Sequence, residues 1–273
     1  MNIFLFSYKD ETMSLGWDVN EHPKQENYRM HTHSGAEAFF FLGGKGVFHV
    51  EGAEYTLERG DLLLFQPSEA HYIELDESTR YERATFHIYP ELFKEIDPTG
   101  ELLRPILDRK PGKWNLYRHN QFQDGGCMRY LQIILSETGD PHTNAVAGLV
   151  GLLHEVYRIF MSREPETEET DSVEYRIIRD INNNLTQSIT LDEICARYYI
   201  SKPQLCRRFK KATGTSLYHY ITVKRLVEAR KRLRAGGSPV QVGTDVGFGD
   251  YSSFYRAYRK QFGCSPSEIE IRR

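Results

Sequence analysis

The stretch DYSSFYRAYRKQFGCSP, Asp250 to Pro266, decides how the second half of the chain folds. A copy of it lies 49 residues upstream as SKPQLCRRFKKATGTSL, Ser201 to Leu217. Leu205 aligns with Phe254, Arg207 with Arg256, Phe209 with Tyr258, Lys210 with Arg259, Lys211 with Lys260 and Gly214 with Gly263. Each copy opens on a helix-capping residue, Ser201 or Asp250, whose side chain can accept from the free amides of the first turn. Pro203 stands in that first turn, where its missing N–H costs little. Each copy closes on a glycine suited to a left-handed helix end. Leu205/Phe209 and Phe254/Tyr258 are pairs four apart, so each pair shares the helix face that seeks a core. The opposite face carries Pro203, Cys206, Arg207 and Lys210 in the first copy, and Ser252, Tyr255, Arg256 and Arg259 in the second.

A shorter helix is expected before each copy. TLDEICARYY opens with a capping box from Thr190 to Glu193, and SPVQVGTDVGF opens with Ser238 and Pro239. A short helix, a tight turn and a second capped helix make a helix-turn-helix. SLYHYITVKRLVEARKRLR joins the two units through an apolar face that includes Leu217, Tyr220, Leu226 and Leu233. An exposed ridge centred on arginine suits a DNA major groove, because the planar guanidinium can hold O6 and N7 of guanine together. Two solvated basic faces would not explain why caps, core positions and arginines recur together.

GFGDYSSFYRAYRKQFGCSPSEI, Gly247 to Ile269, resembles the signature of the AraC/XylS family of bacterial transcription regulators over its whole length. Residues 175–273 resemble that family's double helix-turn-helix domain. The resemblance implies double-stranded DNA as partner, with the two second helices in successive major grooves on one side of the duplex. By the same resemblance, Pro203, Cys206 and Arg207 face bases in the first unit, and Tyr251, Ser252 and Arg256 in the second. Pro203 and Cys206 are poor donors, so the first unit is expected to read bases mainly through Arg207. Lys210, Lys211, Arg259 and Lys260 are expected to neutralise phosphates.

Charge is divided in the same way. Residues 1–174 hold 16 Lys/Arg against 30 Asp/Glu, a net of −14, whereas residues 175–273 hold 19 against 8, a net of +11. A basic segment attached to an acidic one points to a polyanionic partner. Between them, SREPETEETDSVE, Ser162 to Glu174, has six acidic residues and little that is apolar, the composition of a linker. The four cysteines, Cys127, Cys195, Cys206 and Cys264, form no C-x-x-C pair and are expected to be reduced thiols in a cytoplasm. MNIFLFSYKDETMSLG has no basic start, and no window approaches roughly 18 uncharged apolar residues, so neither a signal peptide nor a membrane span is expected.

The first part reads as short strands. EAFFFL, GVFHVE, EYTLE, DLLLFQP and RATFHIY are aromatic or β-branched and punctuated by GGKG, EGAE and ERGD. Such spacing favours a sandwich or barrel. From 121 to 161 the period changes to three and four, in MRYLQIIL and AVAGLVGLLHEVYRIFM. Leu149, Leu152, Leu153, Val156 and Phe160 form a wide stripe that could pack on the barrel or face a second copy. The expected fold is therefore a two-domain α+β chain. Residues 1–118 are expected to form an N-terminal all-β barrel, which the AraC/XylS resemblance implies is a cupin-like effector sensor. Residues 119–162 form a helical hairpin for dimerisation and 163–174 an acidic linker, and 175–273 form the C-terminal all-α double helix-turn-helix domain.

HTHSGAE, His31 to Glu37, raises the question of a metal. On a strand His31 and His33 point to one face, and ERGDLLLFQPSEAHYI later supplies His71. These stretches resemble the two motifs of the cupin barrel, H-x-H-x-x-x-E before a glycine and then G-D, proline and histidine, with His71 one residue closer to Pro67 than the usual pattern. The resemblance places His31, His33, Glu37 and His71 where a metal-binding cupin has its ligands. Three imidazoles and a carboxylate suit Mn, Fe, Ni or Zn. Three readings stay open: a metal-free pocket for a small polar effector, a divalent transition metal that helps to bind the effector, and an enzyme such as a metal-dependent sugar isomerase with an appended DNA module. The AraC/XylS resemblance favours an effector pocket without catalysis and with no required cofactor. It also implies a sugar or sugar derivative as effector, a homodimer and, for an activator, RNA polymerase as partner. Phe39, Phe41 and Tyr72 are expected to join His31, His33, Glu37 and His71 around the effector; Phe65 is expected in the core, and His49 and His87 are further candidates.

Overall fold

Alternate residues of one strand, Ala36–Gly43, face two different cores. Phe39 and Phe41 pack with Phe48, Phe65 and Tyr81, whereas Ala38, Phe40 and Leu42 pack with Leu149, Leu152, Leu153 and Val156. That strand is the third of nine in the computed structural model, which describes residues 2–33, 35–89, 92, 96–123, 125–163 and 172–271. The strands are β1 (Asn2–Lys9), β2 (Met13–Asn20), β3 (Ala36–Gly43), β4 (Gly46–Val50), β5 (Ala53–Thr56), β6 (Leu62–Phe65), β7 (His71–Leu75), β8 (Tyr81–Ile88) and β9 (Leu116–Tyr117). They form a six-stranded sheet, β1-β2-β8-β3-β6-β9, and a three-stranded sheet, β5-β4-β7. All pairings are antiparallel. The aromatic core between the sheets is the interior of the barrel. Strands β1, β2, β7 and β9 lie outside the stretches read as strands from sequence.

A short turn, α1 (Arg104–Leu107), interrupts the otherwise β-rich unit. The hairpin of α2 (Met128–Ile134) and α3 (Pro141–Met161) covers the outer face of the larger sheet. Leu149, Leu152, Leu153 and Val156 are fully buried against Phe40, Phe86 and their neighbours. The stripe that could have faced a second copy is therefore used by the barrel. Of the linker, residues 164–171 lie outside the described residues, and its last two residues, Val173 and Glu174, already begin a helix.

The C-terminal unit consists of α4 (Val173–Asn183), α5 (Leu191–Tyr198), α6 (Lys202–Thr213), α7 (Leu217–Arg234), α8 (Pro239–Asp245) and α9 (Tyr251–Phe262). The capping box holds α5: Thr190 N donates to Glu193 Oε2 (3.1 Å) and Glu193 N to Thr190 Oγ1 (3.2 Å). Asp250 accepts from Ser253 N at 2.8 Å and starts α9. Gly214 and Gly263 end α6 and α9 in the left-handed region. Leu205 and Phe209 enter a core with Ile177, Ile178 and Tyr220, and Phe254 and Tyr258 enter a second core with Leu226 and Leu233. The long α7 supplies one side of each.

Candidate functional site

Because Leu205/Phe209 and Phe254/Tyr258 fix one face of α6 and of α9, the opposite faces turn to solvent. Pro203, Cys206, Arg207, Lys210 and Lys211 are exposed on α6. On α9, Tyr251, Ser252, Arg256, Arg259 and Lys260 are exposed and Tyr255 is half-buried. Neither Arg207 nor Lys210, Arg256, Arg259 or Lys260 has a carboxylate ion-pair partner among the described residues. Arg208, which points between the two faces, is instead tied to Glu174. Each helix therefore offers a ridge of unpaired positive charge of the kind that DNA phosphates and guanine edges accept.

The histidines are brought together from three elements. Glu37 on β3 lies opposite His87 on β8, so both side chains share the inner face. His71, the first residue of β7, bridges to His31, while His33 lies outside any strand. That differs from the expected common strand for His31 and His33, yet the two rings still meet, with centroids 4.9 Å apart. Glu37 Oε2 stands 2.9 Å from His33 Nε2, 3.3 Å from His71 Nε2 and 4.0 Å from His87 Nε2. His71 thus joins the group despite its short spacing from Pro67, and His87 extends it.

Protonation follows from the partners. Nδ1 of His31 faces the Arg29 carbonyl at 2.8 Å and Nδ1 of His71 faces the Glu69 carbonyl at 2.9 Å. A carbonyl only accepts, so both Nδ1 atoms carry a proton, and the Nε2 of each ring is left to face the cluster. Burial, followed by the charges of His71 and His33, pushes His31 down to about 3, so the ring is neutral. Burial opposes ionisation of Glu37, but the imidazoles of His33 and His71 outweigh it and hold the carboxyl well below its ordinary range. Burial also lowers His87. A buried carboxylate among clustered imidazoles is a donor set that fits a cation: the ligating atoms of His31, His33 and His71 lie within 4.8 Å of one another, as do those of His33, Glu37 and His87.

A cavity of about 360 Å³ opens on this cluster, lined by Tyr28, His31, Glu37, Phe39, His71 and Arg83 among others. Phe41 is in the barrel core and does not line it. Phe65 stacks on His71 with centroids 4.0 Å apart, which makes it core, as expected. Tyr72 points the other way: its hydroxyl donates to the Lys211 carbonyl at 2.9 Å, and its ring stacks on His49. A neighbour of His71 on a strand must face the opposite side, which is why Tyr72 leaves the pocket.

Both halves of the chain have relatives. A family model described as an AraC-like ligand binding domain matches residues 20–125, and one described as a helix-turn-helix domain matches residues 194–272. The chain belongs to the AraC/XylS family. The HTH-type transcriptional activator RhaS of Klebsiella pneumoniae (strain 342) is 24% identical over 250 residues, covering 90% of this chain and 88% of that one. Among solved structures, ToxT from Vibrio cholerae aligns over 96% of this chain and 98% of its own at 12% identity and a TM-score of 0.41. The DNA-binding domain of AdpA, in complex with a target DNA, aligns over 37% of this chain and 92% of its own at 22% identity and a TM-score of 0.35. The protein is a DNA-binding transcription regulator of the AraC family with an N-terminal ligand-binding domain.

In this AraC-family chain the two domains are joined by a buried polar network that sequence reasoning missed. The turn between β4 and β5 needs positive φ at both Glu51 (47°) and Gly52 (87°), and a Cβ on Gly52 would meet Ile178 of α4 at 2.8 Å. That tight fit carries the Glu51 carboxylate into the helical domain. Oε1 accepts from Ala70 N and Lys224 Nζ, both at 2.7 Å, while Oε2 accepts from Asn182 Nδ2 at 2.9 Å and from the Tyr220 hydroxyl. Lys224 Nζ also donates to the Ser68 carbonyl at 2.7 Å. Burial and the Glu51 charge hold the Tyr220 phenol well above its ordinary range. The only sequence signal was Lys224 and Tyr220 standing amid the apolar pattern of the long joining helix.

Proposed function

We propose that this regulator answers to a small polyhydroxylated effector, a sugar or sugar derivative, held in the barrel cavity, and that it acts without catalysis in the cytoplasm. The observation that carries the reading is the cavity of about 360 Å³ in which His31, Glu37, His71 and Arg83 supply donors and acceptors while Phe39 and Phe48 supply apolar faces. That size and mixture suit a small ligand. An effector at His71 acts on β7, whose next residue, Tyr72, is bonded to the Lys211 carbonyl in α6, the first DNA-facing helix. A ligand that prefers one arrangement of this contact shifts the population of DNA-binding arrangements by its difference in affinity. The DNA contacts proposed are Pro203, Cys206 and Arg207 on α6 and Tyr251, Ser252 and Arg256 on α9, with Lys210, Lys211, Arg259 and Lys260 on phosphates. No described helix is long and apolar enough to cross a membrane.

The test is calorimetric titration of the full chain with a panel of aldoses, ketoses and deoxysugars, beside Glu37→Gln. Saturable binding that Glu37→Gln weakens supports the reading, and no binding by any member refutes it. The donor set fits a divalent transition metal, which His31, His33, Glu37 and His71 would hold; bound there, it would supply a Lewis acid able to take a ligand hydroxyl or carbonyl oxygen. Metal content of chelator-washed protein beside a His31→Ala/His33→Ala control decides that point. The enzymatic alternative requires turnover of a sugar that vanishes with His31→Ala. Homodimerisation rests on different ground from the α3 stripe: edge strand β1 exposes Ile3, Phe4 and Leu5, apolar side chains that a second copy would cover. Sedimentation of wild type against Phe4→Lys tests it. For an activator, RNA polymerase is the further partner.

A further inference from the structure

A second cavity, of about 160 Å³, lies where the barrel meets the helical domain, with Thr32, His33 and His87 on one side and Val227, Arg230 and Phe262 on the other. Three of its lining residues are half-buried and each holds one solvent-shielded atom with no hydrogen-bond partner among the described residues: Thr32 Oγ1, His87 Nε2 and Arg230 Nε. Buried polar atoms are normally paired, and an unpaired one costs roughly 1–3 kcal/mol, more when charged. Three such atoms lining one small space, contributed by both domains, are more than accidental strain would leave.

The chemistry of the three groups limits what belongs there. Arg230 is always charged and only donates. No carboxylate lies within ion-pair distance of it among the described residues; its guanidinium is held over the ring of Phe262 at 4.7 Å, a contact that steers the group without neutralising it. A threonine hydroxyl can turn to donate, and an imidazole can present an N–H. Three potential donors with one fixed positive charge call for an acceptor that is negative and small. The Glu37 carboxylate, 4.0 Å from His87 Nε2, does not line this cleft and makes no ion pair with Arg230 among the described residues.

We propose that this cleft is an oxyanion site, taking a phosphate or a carboxylate group between Arg230 of α7 and Thr32 and His87 of the barrel. It is separate from the effector cavity, which His31, Glu37 and His71 line and which does not include Arg230. Because its walls come from both domains, the anion binds only when the domains are docked. It therefore stabilises that arrangement by mass action, independently of what the barrel holds. The regulator then integrates two signals, a neutral effector in the barrel and an anion at the domain junction.

The experiment titrates the full chain at constant ionic strength with inorganic phosphate in one arm and acetate in the other, reading the thermal midpoint and heats of binding. The Arg256→Ala variant serves as background, since the DNA-facing cations also attract anions. Saturable binding of either anion that survives Arg256→Ala and weakens at least about tenfold in Arg230→Gln supports the proposal. The arm that binds more tightly identifies the source as phosphate or carboxylate. Thr32→Val, which keeps the shape of the side chain, should weaken the same anion severalfold and covers the case in which Arg230→Gln disturbs packing on Phe262. Binding that is unsaturable in both arms, or that is unchanged in Arg230→Gln and Thr32→Val, overturns it.

Discussion

Truncating Glu51→Ala should release the DNA-binding domain from the barrel while leaving each domain folded. Four donors from three segments converge on this one carboxylate: Ala70 N, Lys224 Nζ, Asn182 Nδ2 and the Tyr220 hydroxyl. Its side chain is 1% exposed and that of Lys224 is 9% exposed. Removing one member of a buried ion pair costs about 3–5 kcal/mol, because the other charge stays buried without a counter-ion. Here that cost has an escape. Undocking returns Lys224, Tyr220 and Asn182 to water, so the loss falls on the docking equilibrium more than on folding. At about 1.4 kcal/mol per tenfold change, docking weakens by a factor of roughly 10² to 10⁴. Small-angle scattering reads this directly as a rise in the radius of gyration when the domains part, while hydrogen exchange should show the cores of β3 and α7 still protected. Glu51→Gln/Lys224→Met, which removes both charges together, should lie closer to wild type than either single change. A radius of gyration unchanged in Glu51→Ala would refute the argument that this pair holds the domains together.

Arg256→Ala should weaken binding to a specific operator by about 1–3 kcal/mol and relax preference at one base position, whereas Lys210→Ala should weaken all sequences alike and lower the salt slope by about one; competition binding over a library of sites separates the two, and equal losses for both variants on all sites would sink the assignment. Leu152→Ala, at a site with no solvent exposure between α3 and the larger sheet, should cost about 2–5 kcal/mol in denaturant unfolding without altering the oligomeric state, and a monomer–dimer shift instead would return the stripe to an interface role. The buried pair of Glu69 and Arg109 (2.7 Å) gives a pH prediction. Burial opposes ionisation of Glu69, but Arg109 and the amides of Gly112 and Gln66 hold its folded value below the ordinary 4.5. Its contribution to stability is therefore fully present above pH 4.5 and is lost as the pH falls through the lower folded value. In Glu69→Gln the thermal midpoint should be lower at neutral pH and should lose that part of its acid dependence; an acid slope identical to wild type would contradict the pairing.

The DNA-binding half was legible because what specifies it is local. Caps at Thr190 and Asp250, terminal glycines and apolar residues four apart all act within one or two turns. Two copies of the same pattern 49 residues apart also checked one another. The β-rich class of the first half was legible from alternation, and His31, His33, Glu37 and His71 converge as their motif implied. Which side chains line the cavity was not legible. Phe41 and Tyr72 carry the same aromatic signal as Phe39, and only the pleat and the position of the second sheet decide that Phe39 lines the cavity and Tyr72 faces α6. The stripe of α3 was likewise neutral between a sheet and a second copy, since an apolar surface is buried with equal gain by either. Tertiary structure alone paired Glu51 with Lys224, 173 residues away, and left Arg230 Nε without a hydrogen-bond partner among the described residues, beside Thr32 and His87. Sequence thus determined the elements and their chemistry, because those follow from the chain's own short-range geometry. How the two domains meet, and so how a ligand in one can be felt by the other, was decided by contacts between residues that no local pattern relates.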